Sequence, residues 1–570
     1  MSNPLLTECL ARHLPIPENE IAAMLEYPPN DELGDVALPC FMLAKTMKQS
    51  PALVAQQLAS KLDHPGFRAE AAGPYLNFKL NRPAFAEELL LRSVPSEDFW
   101  RPNVGGGKRV IIDMSSPNIA KPFGIGHLRS TMIGNAIYRI LRETGHDTAN
   151  VNHLGDWGTQ FGKMIVAYLK WGKPEAMKAS DNITKEYLAL YVKFHEEAER
   201  HPELEAEARE WFRKLEGGDA QATVLWREMI GESLRQFNKL YDRLGVSFDH
   251  VLGESFYNDK MGAVVDSLRG QGLLEESDGA LVVRLDENGM PPCLLVKSDG
   301  TSIYATRDLA TALYRRDQMN GELLLYVVGG EQALHFQQVF RVLEKMDSAW
   351  RDRCRHIPFG LMMMEGQKMS TRRGKVLFLE DVLNEAVQQA RSVIEAKNPA
   401  LTDKDAVAEA VGIGAVVFGD LKNTRTLDVD FSLQEVLNFD GETGPYLQYT
   451  YARTSSILRK AGAASPDGDG ISGQPAFDFS LADNEYAWSL LKLIARYPLR
   501  LRQAAERYEP SVLARYLLEL AQAFNRFYHH VKVLDGSSRE QAFKLSLVRA
   551  AAETLRKGLT LLGLRALEEL

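Results

Sequence analysis

A histidine stands where an apolar, strand-like run hands over to a helix, in Pro122-Phe123-Gly124-Ile125-Gly126-His127. Glycines at such a junction let phosphate approach the backbone, free N–H groups point outward, and the helix dipole favours an anion. His127 can then donate a hydrogen bond to phosphate charge in a transition state. Far along the chain, Gln367-Lys368-Met369-Ser370-Thr371-Arg372-Arg373-Gly374-Lys375 is a basic, glycine-flanked loop with a small residue at Ser370. Lys368 is a candidate for neutralising a leaving pyrophosphate. Alone, the first segment also reads as a tight turn with a capping histidine, and the second as a solvated basic loop. Together they suggest two halves of one nucleotide site.

A third segment suits a cationic substrate. In Ser302-Ile303-Tyr304-Ala305-Thr306-Arg307-Asp308 the tyrosine and aspartate are four apart, hence on one face if the stretch is helical. A carboxylate beside a phenol matches the planar, paired donors of a guanidinium. The same spacing is common on solvated helix faces.

These segments need a scaffold. Val110-Ile111-Ile112-Asp113-Met114 has the continuous apolar character of a buried parallel strand. His127 to Thr144 carries Leu128, Met132, Ile133, Ile137, Ile140 and Leu141 on one face, and Gly145 supplies a stop. Asn150 to His153 is a second strand, which completes a βαβ unit and points to a doubly wound parallel sheet. Further strand-like runs lie at Leu281 to Leu285, Cys293 to Val296 and Leu323 to Val328, after a charged helical insertion over about 163–244.

A chain of 570 residues exceeds one core, so about three to five domains are expected. Residues 1–104 read as an α+β module, with helices over Leu38–Met47 and Ala52–Leu62, a strand over 74–80 and a Gly/Pro-rich linker at Pro102–Gly107. The sheet domain spans 105–385, a linking helical segment 386–439, and an all-α domain 440–570. Within the last, 464–473 reads as an exposed loop. The expected fold is therefore multidomain α/β, with a Rossmann-like centre.

Composition is that of an ordinary globular protein, 45% hydrophobic and 25% charged. No apolar run approaches the roughly 20 residues needed to span a bilayer, and the early Glu8, Glu18 and Glu20 do not suit a signal peptide. A cytoplasmic protein without membrane contact is expected. The four cysteines are isolated, which supports neither a zinc site nor a disulfide framework. A net charge of −9 does not advertise nucleic-acid binding, but phosphate contact needs only a local basic face.

The two phosphate segments resemble the paired signatures of class I aminoacyl-tRNA synthetases. The wider runs Ser115 to Thr131 and His153-Leu154-Gly155-Asp156-Trp157-Gly158-Thr159-Gln160-Phe161-Gly162 resemble the arginyl-tRNA synthetases in particular. One departure stands out: the usual first histidine of the histidine-x-glycine-histidine signature is Gly124 here. The resemblance covers essentially the whole chain and implies ATP-dependent activation of L-arginine, then transfer to the 3′ end of tRNA(Arg). His127 and Lys368 would be catalytic. ATP would lie on Lys121, Gly124, Gly126, His127, Lys368, Met369 and Ser370. Glu254, Tyr304 and Asp308 would hold the guanidinium, with Ser116, Asn118 and Gln332 on the α-amino and carboxylate groups. Mg²⁺ would come with ATP, with no other metal and no permanently bound cofactor.

By the same resemblance, 440–570 is an anticodon-binding domain, and the N-terminal module contacts the tRNA corner. Aromatics interleaved with cations there suit splayed bases, with Tyr451 and Tyr528 as candidates, although such stripes more often form core. A monomer is the family expectation, as is adenylate formation only with tRNA bound. Two rivals remain at this point. A synthetase for glutamate should show an arginine where Asp308 stands, and one for cysteine should show zinc ligands. A catalytically silent tRNA-binding regulator fits Gly124 but not the intact Lys368-Met369-Ser370 loop.

Overall fold

The computed structural model describes residues 4–28, 30–298, 303–364, 367–368, 378–462 and 477–570. Met369, Ser370 and the loop expected at 464–473 therefore lie outside the described residues.

The N-terminal module is a three-stranded antiparallel sheet backed by helices. Its strands are β1 (Val36–Pro39), β2 (Phe67–Ala72) and β3 (Tyr75–Leu80), in the order β1-β3-β2. The helix expected from Leu38 starts instead at Phe41, because Val36 to Pro39 pairs with β3. Pro39, which has no N–H to donate, is tolerated because β1 is an edge strand. The helix Pro51–Lys61 forms as its sequence indicates, with Pro51 in the first turn and Ser50 Oγ accepting from Leu53 N–H at 3.3 Å. This module also meets the far end of the chain. Trp488 Nε1–H donates to Asp35 at 3.2 Å, and the Arg496 guanidinium lies 3.7 Å from the centre of the Tyr27 ring.

The central sheet has five parallel strands: β4 (Arg109–Asp113), β5 (Asp147–Asn152), β6 (His250–Val251), β10 (Leu323–Gly329) and β11 (Cys354–Phe359). Strands β7 (Glu275–Ser277), β8 (Ala280–Val283) and β9 (Cys293–Val296) form a separate antiparallel sheet before the helix Tyr304–Asp317. Spatial order in the central sheet is β11-β10-β4-β5-β6. From β4 the chain moves outward to β5 and β6, and from β10 it moves outward the other way to β11. The loops leaving β4 and β10 thus diverge and open a crevice at the carboxyl ends of two adjacent strands, which is where such sheets bind ligands.

Helix Ile125–Glu143 links β4 to β5, and the insertion, starting at Thr159 rather than 163, links β5 to β6. A small sheet of β12 (Met362–Met364), β13 (Gln367–Lys368) and β14 (Val429–Asp430) follows β11. Helices Leu379–Lys397 and Lys404–Leu421 then lead into the C-terminal helices, of which Gly444–Lys460, Pro510–His530 and Ser538–Leu561 are the longest. The helix Leu379–Lys397 runs unbroken through 385. Arg129, 1% exposed, bolts these layers together. It pairs with Asp420 at 2.9 Å and donates to the carbonyls of Gly360 and Leu427, both at 2.8 Å.

Candidate active site

The loop leaving β4 is strained and heavily pinned. Ser115, Ser116 and Ala120 all adopt left-handed backbone conformations, with φ of 70°, 51° and 58°, which non-glycine residues hold only when surroundings over-determine them. Ser115 Oγ bonds Thr131 and Tyr241, each at 2.8 Å, and its N–H donates to Ser130 Oγ. Ser116 N–H donates to Asn152 at 3.1 Å and its hydroxyl to Asp113 at 2.9 Å. Ala120 N–H reaches Ser233 on the insertion. Asp113 in turn pairs with buried Arg315 at 2.7 Å, which ties the loop to the helix Tyr304–Asp317.

At the start of helix Ile125–Glu143, Gly124 N–H donates to His127 Nδ1 at 3.1 Å. The neutral imidazole therefore carries its proton on Nε2, as a donor. Burial, with the Lys121 cation adding to it, pushes the His127 value down and favours that neutral form. Lys121 also lies 5.2 Å from the centre of the Tyr191 ring. Gly126 is exposed, and a Cβ there would meet open space, so packing within the protein does not demand glycine. The second signature comes close through the backbone. Lys368 pairs with Met363 in the β12–β13 hairpin, Phe378 bridges to Gly124, and Leu379 N–H donates to Phe123 O at 2.9 Å.

Across the crevice, the first turn of helix Tyr304–Asp317 presents Tyr304, 63% exposed, and Asp308 one turn on. Asp308 Oδ2 lies 2.5 Å from His335 Nε2. Glu254, at the turn after β6, lies 3.3 Å from Arg307 Nη1. Burial pushes the Glu254 carboxyl up to about 7; Arg307 opposes this, while Asp308 and Asp156 reinforce it. Glu254, Tyr304 and Asp308 thus share one electrostatic neighbourhood, and the Tyr304 phenol is also pushed up, by burial and then by Glu254. Gln332 is exposed at the end of β10, and Asn118 is exposed on the β4 loop.

The run His153 to Gly162 is a positioning device, which its resemblance alone does not reveal. Asn118 bridges to Gly155, and a Cβ on Gly155 would sit 2.3 Å from Asn118 Oδ1. Leu154 O accepts from Glu254 N–H at 2.9 Å. The Asp156 carboxylate accepts from Ser255 N–H at 2.8 Å and Ser255 Oγ at 2.6 Å, and it lies where a Cβ on Gly253 would be. One segment therefore seats both Asn118 and Glu254. Arg307, Asp156 and His335 escape a sequence reading because their partners are distant in the chain.

In the helical domain Tyr451 is 2% exposed and packed inward, so its ring is not offered to a base. Its neighbour Tyr449 is 39% exposed and Tyr528 is 44% exposed. The Arg453 guanidinium sits 4.9 and 5.2 Å from those two ring centres, beside a cavity of about 770 Å³. The four cysteines are free thiols. Among the described residues no helix is long and apolar enough to cross a membrane.

Residues 93–433 match the family of tRNA synthetases class I (R), catalytic domain, so the opened sheet and its insertions are a class I synthetase catalytic domain. Residues 4–80 match the arginyl tRNA synthetase N terminal domain and 447–570 the DALR anticodon binding domain. An arginine–tRNA ligase of Exiguobacterium sp. is 49% identical over 97% of this chain and 96% of its own length, and one of Latilactobacillus sakei is 49% identical over 97% of both. The solved Thermus thermophilus arginyl-tRNA synthetase superposes with a TM-score of 0.82 at 27% identity, covering 100% of both chains. The chain belongs to the arginyl-tRNA synthetases. Its reaction is the ATP-dependent activation of L-arginine and transfer of the arginyl group to tRNA(Arg), with release of AMP and diphosphate.

Proposed function

We propose that the β4–β10 crevice is where arginine and ATP react, with the phosphates on the His127 side and the guanidinium on the Asp308 side. The observation that carries this is the convergence, at one topological switch point, of an open glycine-bearing helix N-terminus and a carboxylate-rich pocket. The arginine carboxylate attacks the α-phosphate in line, the bond to pyrophosphate breaks, and the protein mostly positions reactants and stabilises charge. His127 donates Nε2–H to phosphate oxygen. Gly124 and Gly126 let the nucleotide reach the backbone, Lys121 adds positive charge, and Lys368 with Met369 and Ser370 serves the leaving pyrophosphate. Mg²⁺ accompanies ATP as substrate, held through phosphate oxygens.

In this reading Asp308, Glu254 and Tyr304 select the guanidinium, while Ser116, Asn118 and Gln332 hold the α-amino and carboxylate groups. Residues 1–104 and 440–570 bind tRNA(Arg) around the sheet domain 105–385 and its linking segment 386–439. Tyr528 stacks on a base, and exposed Tyr449 takes the part expected of Tyr451. The protein acts as a cytoplasmic monomer. ATP–pyrophosphate exchange tests the site, measured with each amino acid and with or without tRNA. Exchange should respond to arginine alone and require tRNA, and Lys368→Ala should cut its kcat about 10²–10³-fold with little change in arginine KM. A rise confined to arginine KM would remove Lys368 from the phosphate role.

A further inference from the structure

Asp308 does not face the crevice alone. His335 lies in the first turn of helix Ala333–Met346, immediately after β10 and Gln332, and reaches across to helix Tyr304–Asp317. Its Nε2 lies 2.5 Å from Asp308 Oδ2, and the two side chains are 27% and 23% exposed. This is a short, partly desolvated contact between elements that flank the switch point, made by a residue that no sequence motif singles out. Behind it, Phe336 stacks on His356 with ring centres 5.0 Å apart, and His356 Nε2 donates to Val328 O of β10 at 2.9 Å. The turn that carries His335 is therefore held to the sheet.

We infer that His335 is a specificity-determining positioning residue: by donating Nε2–H to one oxygen of Asp308, it fixes the orientation in which that carboxylate accepts the substrate guanidinium. The inference rests on Asp308 being the guanidinium acid. Asp308 and Glu254 are near enough to repel, and two neighbouring acids do not both ionise readily. Glu254 is the carboxyl that burial and its neighbours push up. A carboxylate has about four acceptor positions, and His335 occupies one of them. Among the described residues no hydrogen bond is made to Oδ1, which leaves it to an incoming N–H, while the carboxylate cannot rotate without losing His335.

The test compares His335→Ala, His335→Leu and His335→Gln, each with and without Asp308→Asn, in full-length enzyme charging tRNA. Loss of a hydrogen bond to a charged group should raise arginine KM about 10- to 100-fold in the Ala and Leu variants. In the same variants kcat and ATP KM should stay within about threefold of the parent, since the phosphate side is untouched. Gln can place an amide N–H where Nε2–H stood, so it should recover most of the loss. Once Asp308 is Asn, His335→Ala should add less than about threefold, because the two changes act on one interaction. The citrulline inhibition constant should move less than arginine KM, because a neutral ureido group draws little on an ionised acceptor.

Arginine KM unchanged in His335→Leu, or Gln as damaging as Ala, would overturn the inference. If Asp308→Asn raises arginine KM while His335→Ala does not, His335 is excluded and Asp308 stands. If Asp308→Asn itself leaves arginine KM unchanged, the guanidinium assignment fails and the inference fails with it.

Discussion

Between about pH 6 and pH 8, arginine binding to the free enzyme should tighten with rising pH, and Glu254 is the reason. Burial, opposed by Arg307 and reinforced by Asp308 and Asp156, lifts its carboxyl from 4.5 to about 7. The unliganded folded protein thus holds a proton between about pH 4.5 and 7 that the unfolded chain has released. Stability contributed there falls as pH rises through that window and changes no further above it. At about 1.4 kcal/mol per unit, a lift of roughly 2.5 units is worth at most about 3.5 kcal/mol. A guanidinium seated against Glu254 restores the charged form and expels the proton. Arginine Kd should accordingly fall by up to about tenfold per pH unit below pH 7 and level off above it.

Isothermal titration in buffers of differing ionisation enthalpy reads the proton directly. Release should approach one proton per arginine near pH 6 and almost none near pH 8. Glu254→Gln, which cannot titrate, should flatten the profile. His127 and His153 are both pushed down by burial and so lose their protons below their ordinary range, which keeps them from mimicking this effect near pH 7. A pH-independent Kd across the window, or the same slope in Glu254→Gln, would refute the reasoning.

Gly155→Ala would place a Cβ 2.3 Å from Asn118 Oδ1, so one of the two must move. Overpacking of about 1–3 kcal/mol should appear as a roughly 5- to 100-fold rise in arginine KM with ATP KM little changed; steady-state exchange kinetics check it, and an unaltered arginine KM would free Asn118 from its assigned place. Arg129→Met leaves Asp420 wholly buried without its partner, which should cost about 3–5 kcal/mol in denaturant unfolding. Adding Asp420→Leu should recover most of that loss, and a single-variant loss under about 1 kcal/mol would mean the pair is not a structural bolt.

The apolar runs of β4 and β10 are readable without a structure, because a strand covered on both faces has to be apolar along its length. The i, i+4 placement of Tyr304 and Asp308, and the glycines before His127, are likewise local facts that a helix or a turn translates directly into geometry. From these come the phosphate and guanidinium ends of the proposed site. Short pieces such as β6, and the edge strand Val36–Pro39 that mimicked a helix start, carry too few residues for periodicity to distinguish. Tyr451 points inward while Tyr449 is exposed because the rotation of helix Gly444–Lys460 is set by what packs against it, and spacing alone leaves that phase open. Only tertiary structure decided the pairings that tune the chemistry: Asp308 with His335, Glu254 with Arg307, Asp156 with Ser255, Asn118 with Gly155. Periodicity reports which face of an element is buried, whereas a pairing depends on where separate loops arrive. In this protein that place is the switch point between β4 and β10, which no local stretch of sequence encodes.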